Sequence, residues 1–457
     1  MSGADSYPAA SAQRRAASVL ALLLLLAGCA APPPVELPEI RTGAGRMEPS
    51  MRASAFGQEI ARAVTTHPVL TAGSARVLGA QAELGGAQSG MRPQLSAGLD
   101  LAAALVGGGG GRGVPVASVS QLLFDGGAAR SRVAAATAGV VGQSLANEAT
   151  AAQLTLASVE AWHDLAHQRA LLDLAGTNLR LHEEFLELMQ ARLDGGAGTE
   201  ADLLLARSRL ADATSRQVTV RGDLDRAEAI YRELFGDLPA RVAPAPAAPA
   251  LPARDDAELI ATSPRLRGLD AEIAAATAER DATLAGRWPA LGLGVQMRYD
   301  RDDGGLSAQA DMGPRYEVMT GGRRAAATAR AEARVAELQA ERQDLERQIA
   351  RALAFLRSDA RTGQARLRAA REALAANEAA VAAAQDQFAV GRRSMSQLLD
   401  AQRDAFLAGE ALLVAERDLT LSGYAALTLT GDILDVFGIV LPAARPGAEA
   451  AAPAGTE

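Results

Sequence analysis

Two periodicities run along this chain. Leu165, Leu172, Leu179, Leu186 and Leu193 recur every seven residues, and Leu367, Leu374, Val381 and Phe388 repeat that interval later. A sustained seven-residue apolar stripe predicts helices that supercoil left-handedly, since a straight helix would carry the stripe away from its partner. The stripes lie within 128–193 and 323–390, which hold no proline and few glycines. At 1.5 Å per residue each predicts a rod of about 100 Å, long enough to need lateral partners. Alanine fills many neighbouring positions and permits close helix approach at little entropic cost. The second period is two. Leu95, Ala97, Leu99 and Leu101 alternate with more polar positions, as do Leu291, Leu293, Val295 and Met297. Strands are therefore expected at Met91 to Leu105, Val114 to Phe124, Trp288 to Tyr299 and Ala308 to Met319.

These patterns belong to a duplication. Pro68, Leu70, Pro93 and Leu95 return 196 positions later as Pro264, Leu266, Pro289 and Leu291; Gly126, Gly127, Leu203, Leu204 and Ala206 return 195 later as Gly321, Gly322, Leu398, Leu399 and Ala401. Each copy reads as a short helix, a medium helix, two strands, a rod, a Gly-containing turn and a further helix. Such a repeat points to geometry rather than to one catalytic pocket. Pro68 to Gly90, and Pro264 to Arg287 capped by Ser263, predict helices of about 35 Å; Thr199 to Phe235 and Ser394 to Thr430 predict about 55 Å. One of each, end to end, nearly matches a rod, so a wall of two stacked helices beside one continuous helix is expected. Thr199-Glu200-Ala201-Asp202 and Ser394-Met395-Ser396-Gln397 carry capping-box spacing after each rod, which predicts tight helical hairpins.

The strands have membrane length, since 9 to 11 tilted residues cross a bilayer and only one face need be apolar. One chain supplies about four. Four cannot close a barrel, and open edges are not tolerated in lipid, so the membrane reading requires self-association. Aromatic residues are sparse, with Trp288, Tyr299 and Tyr316 near the second hairpin and Phe124 near the first.

The chain begins with Arg14 and Arg15, an apolar run from Val19 to Leu26, and Leu26-Ala27-Gly28-Cys29. That run is too short for a permanent span and reads as a cleaved targeting segment. The small residues before Cys29 resemble the lipobox of bacterial lipoproteins, which implies cleavage before Cys29 and lipid attachment there. Cys29 is the only cysteine in 457 residues, so no internal disulfide competes for it. Losing residues 1–28 removes Asp5, Arg14 and Arg15 and moves the formal charge from -8 to -9, which gives no support to nucleic-acid binding. Glu160, His163 and His167 share a helix-compatible spacing without a further ligand, and read as an exposed patch rather than a metal site. The run Gly107 to Gly111 lacks the Gly-Lys-Ser/Thr of a phosphate loop. No catalytic cluster emerges, and no cofactor is expected beyond covalent lipid at Cys29.

Taken in order, His67-Pro68-Val69-Leu70, Ser263-Pro264-Arg265-Leu266, Arg92-Pro93-Gln94-Leu95, Trp288-Pro289-Ala290-Leu291, Phe124-Asp125-Gly126-Gly127, Phe388-Ala389-Val390-Gly391 and Gln397-Leu398-Leu399-Asp400-Ala401-Gln402 resemble the TolC-like outer-membrane efflux and type I secretion channel family over residues 54 to 438. The resemblance implies an α-barrel of long coiled coils joined to a transmembrane β-barrel. It implies a homotrimer of twelve strands, acting as a passive exit duct for an inner-membrane transporter of efflux-pump or ABC type, joined through a periplasmic adaptor. The expected organisation is a signal peptide over 1–28, a lipid-anchored tether over 29–53, repeats over 54–239 and 256–438, a Pro/Ala-rich connector over 240–255 and a disordered tail over 439–457. At the periplasmic tip the family is constricted by acidic residues, which implies a pore lining of Asp202, Gln397 and Asp400. By the same resemblance, Gly195, Gly196, Gly198, Gly391, Arg392 and Arg393 at the turns meet the adaptor. The alternatives are a type I protein-secretion channel, and a lipid-anchored coiled-coil scaffold or adaptor that shares the rods without needing spanning strands.

Overall fold

A computed structural model describes residues 47–100, 114–300 and 305–441. Helix α1 is Pro49–Arg52, α2 is Ala55–Thr66 and α3 is Pro68–Ser89. Strands β1 (Gln94–Asp100) and β2 (Val114–Phe124) lead into the first rod, α4 (Ala128–Asp194), and its return helix α5 (Glu200–Phe235). After a connector, the second copy follows as α6 (Asp256–Ala261), α7 (Pro264–Ala285), β3 (Ala290–Asp300), β4 (Gly305–Arg315), the rod α8 (Arg323–Ala389), α9 (Met395–Thr430) and the short α10 (Ile433–Val436). Both rods contain 67 residues, so each is about 100 Å long.

The rods start at paired glycines. Gly126 and Gly127 have φ of 68° and 95°, and Gly321 and Gly322 have 56° and 86°, which turns each strand exit into a helix start where a side chain would be strained. At Gly126 an added Cβ would also stand 2.8 Å from the Ala285 carbonyl oxygen. Asp125 closes the first start by accepting from the amides of Gly127 (3.0 Å) and Ala129 (2.6 Å). Ser263 occupies the cap position of α7, but its side chain makes no capping bond; the expected hydroxyl cap is replaced by burial of Ser263 at 1% exposure.

The helices form a wall. Near the sheet, α3 packs on α4, α4 on α7 and α7 on α8; toward the opposite end the order is α5, α4, α9, α8. Thus α7 stacked on α9 fills the slot between the two rods, as the length arithmetic predicts. Leu165 is fully buried, and Leu172, Leu186, Leu367, Leu374 and Phe388 of the seven-residue stripes are half-buried.

At mid-height, where stacked helices meet, lies the largest core. Phe56, Trp162, Leu165, Tyr231, Phe235, Tyr424 and Phe437 are all buried there, with Phe56 in edge contact with Trp162 and Phe437. The connector over 240–255 has no regular structure but lies against this core, tied by Trp162 Nε1 donating to the Ala243 carbonyl (3.2 Å) and Tyr424 Oη to that of Pro246 (3.0 Å). Two expected boundaries move here. Met51, assigned to the tether, is fully buried in α1, and Ile439, assigned to the tail, is 1% exposed; both are large apolar side chains that complete the same core.

The strands make one antiparallel sheet in the order β1-β2-β3-β4. The fourth begins and ends earlier than expected because it continues only where β3 offers backbone partners, from Asp300↔Gly305 to Ala290↔Arg315. Pro93, which has no N–H to give a ladder, delays β1 to Gln94.

Candidate functional site

Register divides the sheet into two chemically distinct faces. Cα partners share a face, and Leu95↔Val119, Val119↔Val295 and Val295↔Ala310 run unbroken across all four strands. The next row, Ser96↔Ser118, Ser118↔Gln296 and Gln296↔Gln309, is polar throughout, with Ser96 Oγ and Ser118 Oγ 2.7 Å apart. Leu99, Leu306 and Met312 on the apolar face are 66%, 64% and 68% exposed, so none of the described residues covers them. A bulge between Leu122 and Phe124 shifts the alternation so that Phe124 pairs with Leu291 and joins the apolar face. Phe124, Trp288 and Tyr316 are exposed at the helix-proximal end and Tyr299 at the other, which gives the sheet a sparse aromatic edge at each border. Among the described residues β1 and β4 are the unpaired edges.

At the far end of the rods both turns have the same construction. Ala197 N–H bonds the Arg192 carbonyl (2.8 Å) across Gly196 at φ 70°, and Arg392 N–H bonds the Gln387 carbonyl (2.9 Å) across Gly391 at φ 71°. The helices that follow are capped differently. Ser394 and Gln397 form a reciprocal capping box, the amide oxygen of Gln397 accepting from the Ser394 backbone at 3.2 Å. In the first copy Asp202 N–H bonds Thr199 Oγ1 (3.2 Å), while the Asp202 carboxylate accepts from that hydroxyl (2.7 Å). Met189, Leu203, Ala206, Met395 and Leu399 bury one another beneath the turns, and Arg192 lies over the Phe388 ring at 5.2 Å. Gly195, Gly196, Gly391 and Arg392 are exposed, and Gly198 and Arg393 half-buried.

The three acidic or amide positions thus have different partners. Asp202 and Gln397 serve helix starts, whereas exposed Asp400 faces Arg209 of α5, with Nη2 3.7 Å from Oδ1. Arg209 escaped the sequence reading. The signal was present, because the 195 offset pairs it with Asp404, a charge reversal between the copies. Three further pairs join first-copy to second-copy helices: Arg216 with Glu410, Arg417 with Asp164 at 2.6 Å, and Arg267 with Glu148 at 3.8 Å. Cys29 lies outside the described residues, as do the runs Gly107 to Gly111 and Arg301 to Gly304.

The histidines are not the exposed patch expected. His163 is half-buried, its ring 5.7 Å from Phe56 and 6.3 Å from Tyr424. Burial lowers the pKa of His163, His167 and His182, and burial with the neighbouring Asp164 raises that of Glu160. Among the described residues no group of His, Cys, Asp and Glu is arranged to hold a metal, and no helix is long and apolar enough to cross a membrane.

A two-faced sheet carried on 100 Å paired rods defines a wall segment of a membrane-anchored tube. Residues 60–237 and 257–431 match the outer membrane efflux protein family, one match per repeat, and the chain belongs to that family of TolC-like outer-membrane channels rather than to an enzyme class. It is 28% identical over 299 residues to the outer membrane efflux protein BepC of Brucella suis, an alignment covering 63% of this chain and 65% of the relative. In fold it is similar to the CmeC outer membrane channel of Campylobacter jejuni (TM-score 0.76, 13% identity, 90% of this chain and 96% of that one). It is also similar to the outer membrane protein VceC of Vibrio cholerae (TM-score 0.71, 18% identity, 85% and 97%).

Proposed function

We propose that three copies of this chain form the outer-membrane exit duct of a tripartite efflux system, conducting cargo passively from a transporter and adaptor. The observation that carries the reading is the register of the sheet: an apolar face fit for lipid, a polar face fit for a water-filled lumen, and two edges, unpaired among the described residues, that other copies can close. Three copies supply twelve strands. The scaffold alternative leaves this two-faced sheet without a use.

In this reading the rods cross the periplasm and the turns at Gly195, Gly196, Gly198, Gly391, Arg392 and Arg393 receive the adaptor. Cys29 carries lipid that holds the chain at the outer membrane. The duct narrows at the tip, where Asp400 acts with Arg209 as its counter-ion; Asp202 and Gln397 shape the same rim by fixing the helix starts. Small-molecule cargo is favoured over polypeptide because the anchor resembles that of drug-efflux members.

The test is single-channel recording of purified protein in planar bilayers. Wild type conducts, Asp400→Ala alters resting conductance and cation block, and Arg209→Ala shifts cation preference the opposite way. A preparation that forms no pores overturns the duct, and pores indifferent to both changes overturn the constriction assignment.

A further inference from the structure

Below the mid-height core a groove of about 910 Å³ runs along α9, bordered by α4 and α5 on one side and by α8 on the other. Its origin is compositional. The two second-copy helices close on one another at Gly363, where an added Cβ would stand 3.1 Å from Leu419 Cδ1, while Ala369, Ala370, Ala411 and Ala415 leave space that larger side chains would fill. Leu171, Leu356, Leu407 and Val414 give it apolar walls, and the last two are 47% and 43% exposed. The volume falls in the range of drug-sized binding sites, roughly 300 to 1,000 Å³.

The charges on its border do not cancel. Arg216 is matched by Glu410, and Arg366 stands 4.0 Å from Asp359. At the upper end, however, Asp418 and Asp164 both pair with one guanidinium, that of Arg417, and Glu160 lies in the field of Asp164 and the same Arg417. Three carboxylates therefore share a single cation beside an apolar surface. A bound organic cation would relieve that excess and cover the exposed leucine and valine together.

We propose that this groove binds amphipathic organic cations, the apolar body lying on Leu407, Val414 and Leu356 and the positive centre facing Glu160 and Asp418. The inference rests on the duct reading only for the ligand's route to the groove. Tetraphenylphosphonium and tetraphenylborate, alike in shape and opposite in charge, are the probes, titrated calorimetrically against the full-length assembly in lipid nanodiscs. The cation binds saturably, and the anion at least tenfold more weakly. E160Q/D418N and the groove-filling Ala411→Trp each weaken cation binding about tenfold or more, with assembly size and helical circular dichroism as folding controls. Saturable binding absent in wild type, blind to probe charge, or unaffected by both variants overturns the proposal. Bilayer conductance of the same preparation separates the two readings: pores without cation binding sink the groove and leave the duct, and binding without pores does the reverse.

Discussion

Placing one arginine on either side of β4 separates the two faces of the sheet. Ala310 is the central residue of this 11-residue strand, five from each end, exposed, on the apolar row with Val295; Gln309 is its neighbour on the polar row. Eleven residues at about 3.4 Å give roughly 37 Å, and a tilt of about 40° reduces this to about 28 Å of membrane height, so Ala310 lies near the bilayer midplane. Arginine on the lipid face at that depth costs about 2–4 kcal/mol, equivalent to roughly 30- to 700-fold in the folding equilibrium per chain, whereas a lumen position tunes selectivity instead. Neither site carries a large side chain whose loss would confuse the result. Ala310→Arg is expected to abolish or strongly reduce heat-resistant assemblies on refolding into lipid vesicles. Gln309→Arg is expected to assemble normally and to shift single-channel selectivity toward anions. Equal assembly of the two variants, or failure of Gln309→Arg alone, would refute the assignment of faces and with it the barrel.

Three further outcomes follow from the geometry. His163, His167 and His182 have pKa values below the ordinary 6.5 because burial disfavours their charged form; the unfolded chain therefore binds more protons, and stability is full above about pH 6.5 and declines as pH falls through it. Glu160, raised by burial, opposes this by taking up a proton in the folded state, so thermal unfolding between pH 8 and 5.5 should show a decline that His163→Gln with His182→Gln makes shallower. Ser394→Ala removes the reciprocal cap of α9 and should cost about 1 kcal/mol, read as faster amide exchange over 395–398, with rates unchanged if the cap is idle. Cys29→Ser should abolish incorporation of labelled fatty acid; retained label would place the modification elsewhere.

Much of the architecture was legible because it repeats. The rods and all four long return and stacking helices end within two residues of their expected limits, since proline, glycine and capping residues interrupt the helical pattern in both copies. Alternation found the strands but not their ends, because a strand stops where its neighbour's backbone stops, a property of pairing rather than of composition. The bulge at Leu122 to Phe124 was hidden for the same reason. At the tip, spacing identified Asp202 and Gln397 as capping positions, but the partner of Asp400 comes from another helix about 190 residues away in sequence, and local patterns carry no record of it. Burial of Met51 and Ile439 was likewise invisible, since isolated apolar residues in short, irregular ends have no period to betray them.

The bare edges of β1 and β4 have a consequence for inheritance as well as for shape. A chain with two unsatisfied strand edges has no stable resting place in lipid by itself, so insertion and assembly are one event and proceed only as fast as copies meet. A variant damaged along one edge alone would still offer its intact edge to normal copies and be drawn into their assemblies. In a three-copy ring the yield of sound channels would then fall as the cube of the sound fraction, making such alleles dominant, whereas a variant unable to pair at either edge would be excluded and silent.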